Sequence, residues 1–120
     1  MKQLYTFLVP ALLLFTACTK ETFNPDPELW MQTHERGVIA YVDYFTGNYI
    51  VDTYNGYAVV ESSGGIVPRE YDIVYANFSF RGGTTIYNRS GNYFAQGWVV
   101  DSWLTWSQAL YLLDNMSYRP

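Results

Sequence analysis

Apolar positions along the chain fall into three regimes. Residues 4–17 are almost continuously apolar, the middle of the chain alternates apolar and polar positions in short runs, and apolar residues near the end recur at helical spacing. Alternation over four to eight residues marks a half-buried strand, whereas an i, i+3, i+4 recurrence marks an amphipathic helix. Val38-Ile39-Ala40-Tyr41-Val42 reads as a first strand, broken by Thr46-Gly47-Asn48. Tyr49 to Tyr54 and Tyr57 to Glu61 follow, separated by Asn55-Gly56, a dipeptide suited to a type I′ hairpin turn because both central positions need positive φ. Ser62-Ser63-Gly64-Gly65, reinforced by Pro68, marks a loop.

Tyr71 to Phe80 alternates, with Val74, Ala76, Phe78 and Phe80 on one face and Ile73, Tyr75, Asn77 and Ser79 on the other. Gly82-Gly83 is expected to turn the chain into Thr84–Tyr87, and Asn88 to Asn92 reads as an exposed loop tip. Tyr93 to Trp103 is the last strand, in which Gly97 predicts a bulge or bend. Two helices flank these strands. Asp26-Pro27-Glu28 has the chemistry of a helix start, predicting one or two turns over Leu29–Arg36 closed by Gly37, although Leu29 and Met31 also fit a strand. Thr105-Trp106-Ser107-Gln108 fits a capping box, and Ala109, Leu112, Leu113 and Met116 form the stripe of a terminal helix.

Five or six short strands and a terminal helix give a mainly β chain. The natural architectures are a small antiparallel sheet or a partly open barrel of the SH3 or OB type. The OB match is imperfect, because Gly82-Gly83 leaves no room for a helix between its flanking strands. A two-layer α+β arrangement reads much the same. The organisation is a leader at 1–17, a tether at 18–27 and one β-rich domain at 28–120.

The leader is too short to cross a bilayer, which takes roughly 20 apolar residues, and Pro10 interrupts it. A cation at Lys2, an apolar centre and a small-residue exit describe a secretory signal. The junction Phe15-Thr16-Ala17-Cys18 resembles the lipobox of bacterial lipoproteins, with Phe15 where leucine is usual. The resemblance covers the leader through Cys18. It implies a diacylglycerol on the Cys18 sulfur, an acyl group on its nitrogen and membrane lipid as a partner. Two or more acyl chains hold a protein firmly where one anchors only marginally. In that family an aspartate after the cysteine retains the protein at the inner membrane, so Thr19 implies the outer membrane. Lys20-Glu21 resembles a surface-export signal of lipoproteins in the Bacteroidota and reads equally as a solvated tether, so the membrane face stays open.

Cys18 is the sole cysteine, so no disulfide holds the domain, which must rely on burial. Six cations against eleven acids follow the leader. Without a basic stripe, nucleic acid is not an expected partner. Twelve Tyr, seven Phe and four Trp suit a pleated sheet.

Candidate chemistry is sparse. His34 is the one histidine, so no clustered metal ligands, and hence no cofactor, are expected; it reads as a surface or helix-flanking residue. No serine sits in a G-x-S-x-G context. Asp43 with Asp52, and Glu70 with Asp72, are carboxylate pairs that a solvated strand edge also explains. The Asn-x-Ser triplets at Asn77, Asn88 and Asn115 carry no glycan expectation in a bacterial envelope protein. Trp98, Trp103, Trp106 and Tyr111 cluster near the C-terminus and read either as core or as a stacking platform. Trp103 and Trp106 flank the strand-to-helix junction and are the best placed to point outward, and Arg89 is a further contact candidate on its loop. The expectation is a non-enzymatic, lipid-anchored interaction or accessory module, with a glycan- or peptide-binding lipoprotein as the alternative.

Overall fold

The computed structural model describes residues 25–117; the lipobox and Cys18 lie outside them. Helix α1 (Pro27–Thr33) leads into six strands: β1 (Glu35–Val42), β2 (Tyr49–Thr53), β3 (Gly56–Ser62), β4 (Ile73–Ala76), β5 (Gly82–Asn88) and β6 (Tyr93–Leu104). Helix α2 (Trp106–Ser117) follows. The mainly β reading with a C-terminal helix therefore holds, and the sheet closes. Two antiparallel meanders, β1-β2-β3 and β4-β5-β6, are joined by β1·β4 and β3·β6 pairing into a barrel of order β1-β2-β3-β6-β5-β4.

Alternation along the strands sorts side chains between inside and outside. Ile39, Val42, Tyr49, Val51, Ala58, Val60, Val74, Ala76, Ile86 and Val99 fill the interior, and Phe78 joins them from the β4–β5 turn. Strands β2 and β3 carry unbroken buried runs, Tyr49-Ile50-Val51 and Ala58-Val59-Val60, because their outer faces are covered as well. Ile50 and Val59 pack outward against Ala109, Leu113 and Met116 of α2. The stripe read from the sequence is the face that docks. Burying a leucine such as Leu113 contributes about 1.5–3 kcal/mol. The capping box also forms: Gln108 N donates to Thr105 Oγ1 (3.2 Å), and Thr105 N donates to Gln108 Oε1 (3.0 Å).

Helix α1 starts as expected, with Asp26 Oδ1 accepting from Glu28 N (3.2 Å) and Pro27 at its first position. It ends earlier, at Thr33, whose hydroxyl donates to Leu29 O (2.8 Å), and His34 is already extended. Gly37 closes no helix. It lies inside β1, where a Cβ would meet Val51 and the Phe78 ring. On the outer face across the barrel from α2, Trp30 Nε1 donates to Tyr75 O (3.0 Å) and its ring meets Phe94 edge-on.

Three local expectations change. Strand β4 stops at Ala76, which pairs with Glu35, the first residue of β1, so β1 offers no partner to Phe78 or Phe80. The turn is at residues 77–81, Phe80 is exposed, and Gly82-Gly83 begin β5. The β2–β3 turn is centred on Tyr54-Asn55, with Thr53 paired to Gly56. Only Gly56 has positive φ (+105°), which rules out type I′. The Thr53 hydroxyl instead organises the turn, accepting from Asn55 N (3.1 Å) and donating to Gly56 O (2.7 Å). Gly97 is no bulge. The β3·β6 register slips further on, at Val100 and between Asp101 and Leu104.

Gly97 is needed for close approach: a Cβ there would lie 2.9 Å from both Ile86 Cδ1 and Val60 Cγ1. Gly83 lies one position along the neighbouring strand, and a Cβ there would meet the Trp98 ring at an ordinary 3.7 Å. Gly97→Ala is expected to lower unfolding free energy by about 1–3 kcal/mol. Gly83→Ala is expected to leave stability unchanged or raise it by about 0.5 kcal/mol. Urea titration of both variants checks the contrast.

Candidate functional site

The two helices leave part of the barrel wall bare, and a groove of about 520 Å³ lies there across the outer face of β1. Its floor is Val38, Ala40 and the backbone of Ile39. Tyr57 and Trp106 stand on one side, with ring centroids 5.2 Å apart and planes at 60°. Tyr71 stands on the other, and the Asp52 carboxylate completes the lining.

Each wall has a local cause. Tyr57 and Asp52 are register partners on the outer face near the β2–β3 turn, where Tyr57 packs at the margin of the cluster under α2 and Asp52 stays exposed. Trp106 is placed by the capping box, which starts α2 one residue earlier. Tyr71 has φ +73°, a conformation that a bulky side chain adopts only under constraint. The constraint is visible in the backbone. Tyr71 N donates to Ile39 O (2.8 Å), Ile39 N donates to Asp72 O (2.9 Å), and the Asp72 carboxylate accepts from Arg69 N (3.0 Å). A bulge at Ala40 in β1 widens the floor, since Ile39 pairs with Val51 and Tyr41 with Ile50.

The aromatic candidates are surface residues rather than core. Trp98 is 53% exposed, Trp103 64%, Trp106 39% and Tyr111 71%. The structure does not gather them. Of that set only Trp106 lines the groove. Trp98 lies over Gly83 on the outside of the β5–β6 pair, and Tyr111 projects from α2. Trp103 sits at the irregular end of β6 with φ +60°. Arg89 is exposed on the β5–β6 turn as expected, but Asn88 beside it is buried and belongs to β5.

Asp52, Tyr57 and Tyr71 are the lining residues that sequence reasoning does not place at a binding surface; Asp52 figures there only as a partner of Asp43. The first two were within reach, because Asp52 alternates with Ile50, and Tyr57 with Val59, on a covered face. Tyr71 had no local signal. Its conformation depends on a long-range bond to β1.

The remaining chemical candidates are dispersed. The His34 ring stacks on Trp30 (3.7 Å, 8°), with Nδ1 3.0 Å from Trp30 O. Asp43 accepts from Phe45 N (3.0 Å) in the β1–β2 turn, away from Asp52. Asp72 precedes β4 and accepts from Asn88 Nδ2 (2.8 Å), so it shares no strand face with Glu70. At the other end of the barrel, Ser79 Oγ donates to Glu35 Oε2 (2.6 Å) and accepts from Asn55 Nδ2 (3.2 Å). Glu35 Oε1 is buried without a partner among the described residues. Among those residues no three His, Cys, Asp or Glu converge as metal ligands, and no helix is long and apolar enough to cross a membrane.

Comparison with protein-family models, with curated proteins and with solved structures returns no match.

Two measurements follow from this geometry. Tyr71→Gly removes the strained conformation at a residue 83% exposed, and is expected to raise unfolding free energy by about 1 kcal/mol in chemical denaturation. Burial, followed by the charge of Tyr93, raises the pKa of Tyr49 far above its usual value. In the unfolded chain Tyr49 ionises near pH 10 while the folded chain keeps its proton. Stability is therefore intact below pH 10 and falls above it, by about 1.4 kcal/mol per pH unit from this group. Tyr49→Phe is expected to shallow the alkaline slope of a pH–stability curve.

Proposed function

We propose that this chain is a non-enzymatic binding module, held on the outer membrane of a bacterial envelope by lipid on Cys18, and that its ligand occupies the groove across β1. The observation that carries the reading is the groove itself. It is walled by Tyr57, Tyr71 and Trp106, and one of those walls, Tyr71, is held at positive φ. Rings held on rigid strands lose little entropy when a ligand stacks on them, which is why such surfaces serve binding.

The ligand is a glycan, a peptide or another envelope component of matching size. A peptide that binds by adding a strand to an open sheet edge finds no full-length edge in a closed barrel. Recognition therefore runs through side chains. The anchor is supported by Ala17-Cys18 and the short apolar leader ahead of them.

Two experiments test the two halves. Cells fed labelled palmitate are expected to label the wild-type protein but not Cys18→Ser; an unlabelled wild type removes the anchor. Wild-type protein is expected to retain a component of solubilised envelope glycan or peptide that Trp106→Ala/Tyr71→Ala releases. Equal retention by both removes the groove as the site.

A further inference from the structure

We infer that the ligand group seated in the β1 groove is a small organic cation of the quaternary-ammonium class. The inference rests on the groove being the binding site and not on the lipid anchor. Three electron-rich rings, Tyr57, Tyr71 and Trp106, and one carboxylate, Asp52, line the space, and no lysine, arginine or histidine does. The Asp52 carboxylate makes no ion pair or side-chain hydrogen bond among the described residues, so its charge is unspent within the fold. Asp52 is the one charged side chain of the lining, and the faces of Trp and Tyr attract cations through their quadrupoles.

The first turn of α2 abuts the groove at Trp106, and a helix N-terminus carries positive partial charge. Here the capping box already takes up one of those amides, Gln108 N with Thr105 Oγ1, and the Asp52 carboxylate in the lining repels an anion. An anionic ligand is thereby disfavoured. A neutral saccharide would stack, but it leaves the Asp52 charge uncompensated.

Among cations, the number of acceptors decides. A primary ammonium is strongly hydrated and brings three N–H donors that need partners. The lining offers one carboxylate and two phenol oxygens on an open floor of Val38 and Ala40. A quaternary ammonium has no N–H and presents only methyl groups, so rings and apolar floor suit it and a single carboxylate balances its charge.

The test is titration of the full chain, in a polyoxyethylene detergent, with choline, tetramethylammonium, ethanolamine and 3,3-dimethylbutan-1-ol, the uncharged carbon analogue of choline. The indole N–H resonance of Trp106 is followed by NMR. Choline and tetramethylammonium are expected to shift it saturably, with the neutral analogue about tenfold weaker. Asp52→Asn, an exposed substitution that leaves the core intact, is expected to weaken choline about tenfold, and Tyr71→Ala, which keeps the Trp106 reporter, to weaken it as well. Equal binding of the neutral analogue overturns the inference, as does undiminished choline binding by Asp52→Asn or the absence of any saturable shift. Tighter binding of ethanolamine than of choline overturns the quaternary assignment. If a neutral oligosaccharide shifts Trp106 while choline does not, the cation is wrong and the groove remains the site.

Discussion

The two hydrogen-bonded seams, β1·β4 and β3·β6, turn a pair of antiparallel meanders into a continuous wall, and the rest of the molecule follows from that closure. A closed wall assigns every strand residue to an inside or an outside. It also leaves no full-length open edge strand, the usual route to unwanted strand pairing. With no cysteine among the described residues, the wall depends on how well its interior packs. That interior is narrow: Gly37 and Gly97 face it where a Cβ would run into Val51, Ile86 or Val60.

Narrowness explains the fate of the aromatic residues. The inside accommodates valine, isoleucine and alanine, with Tyr49 and Phe78 as the only buried rings in the interior cluster. The other rings must lie outside the wall. Some are covered there: Trp30 of α1 reaches Tyr75 and Phe94, and Tyr87 packs beside Phe94 at 4.8 Å. Tyr57 is partly sheltered by Trp106. Those that neither helix reaches stay in solvent, which is why a composition suggesting a ring-built core produces a ring-studded surface instead.

Much of the fold was legible because it rests on local chemistry. The Asp26-Pro27-Glu28 start, the Thr105–Gln108 capping box, the Ala109–Met116 stripe and most strand cores are short-range patterns, and they hold. Failures occur where a partner distant in sequence decides. The alternation through Phe78 and Phe80 is real, but β1 begins at Glu35 and provides no partner for it. Asn55-Gly56 has the composition of a type I′ turn, yet the Thr53 hydroxyl shifts the turn back by one residue. Of the groove, Trp106 could be singled out from its place at a junction. Tyr71 could not, because only its bond to Ile39 O makes it a wall.

Two irregularities of the barrel adjoin the groove. Ala40 is the extra residue of a bulge in β1 and forms the floor, while Tyr71 is held at positive φ by the segment pairing with that same part of β1. A regular six-stranded wall would need neither, and a bulky residue at positive φ typically costs of order 1–3 kcal/mol. Two departures from ideal geometry converge on one lining beside an uncompensated carboxylate. If they served closure, relieving either would loosen the barrel; if they serve a ligand, relieving Tyr71 firms the barrel and empties the site. Trp103, at φ +60° beside two register slips, makes the β3·β6 seam irregular as well, so Tyr71 singles out the outer face of β1 only together with the groove and the Asp52 carboxylate that lines it.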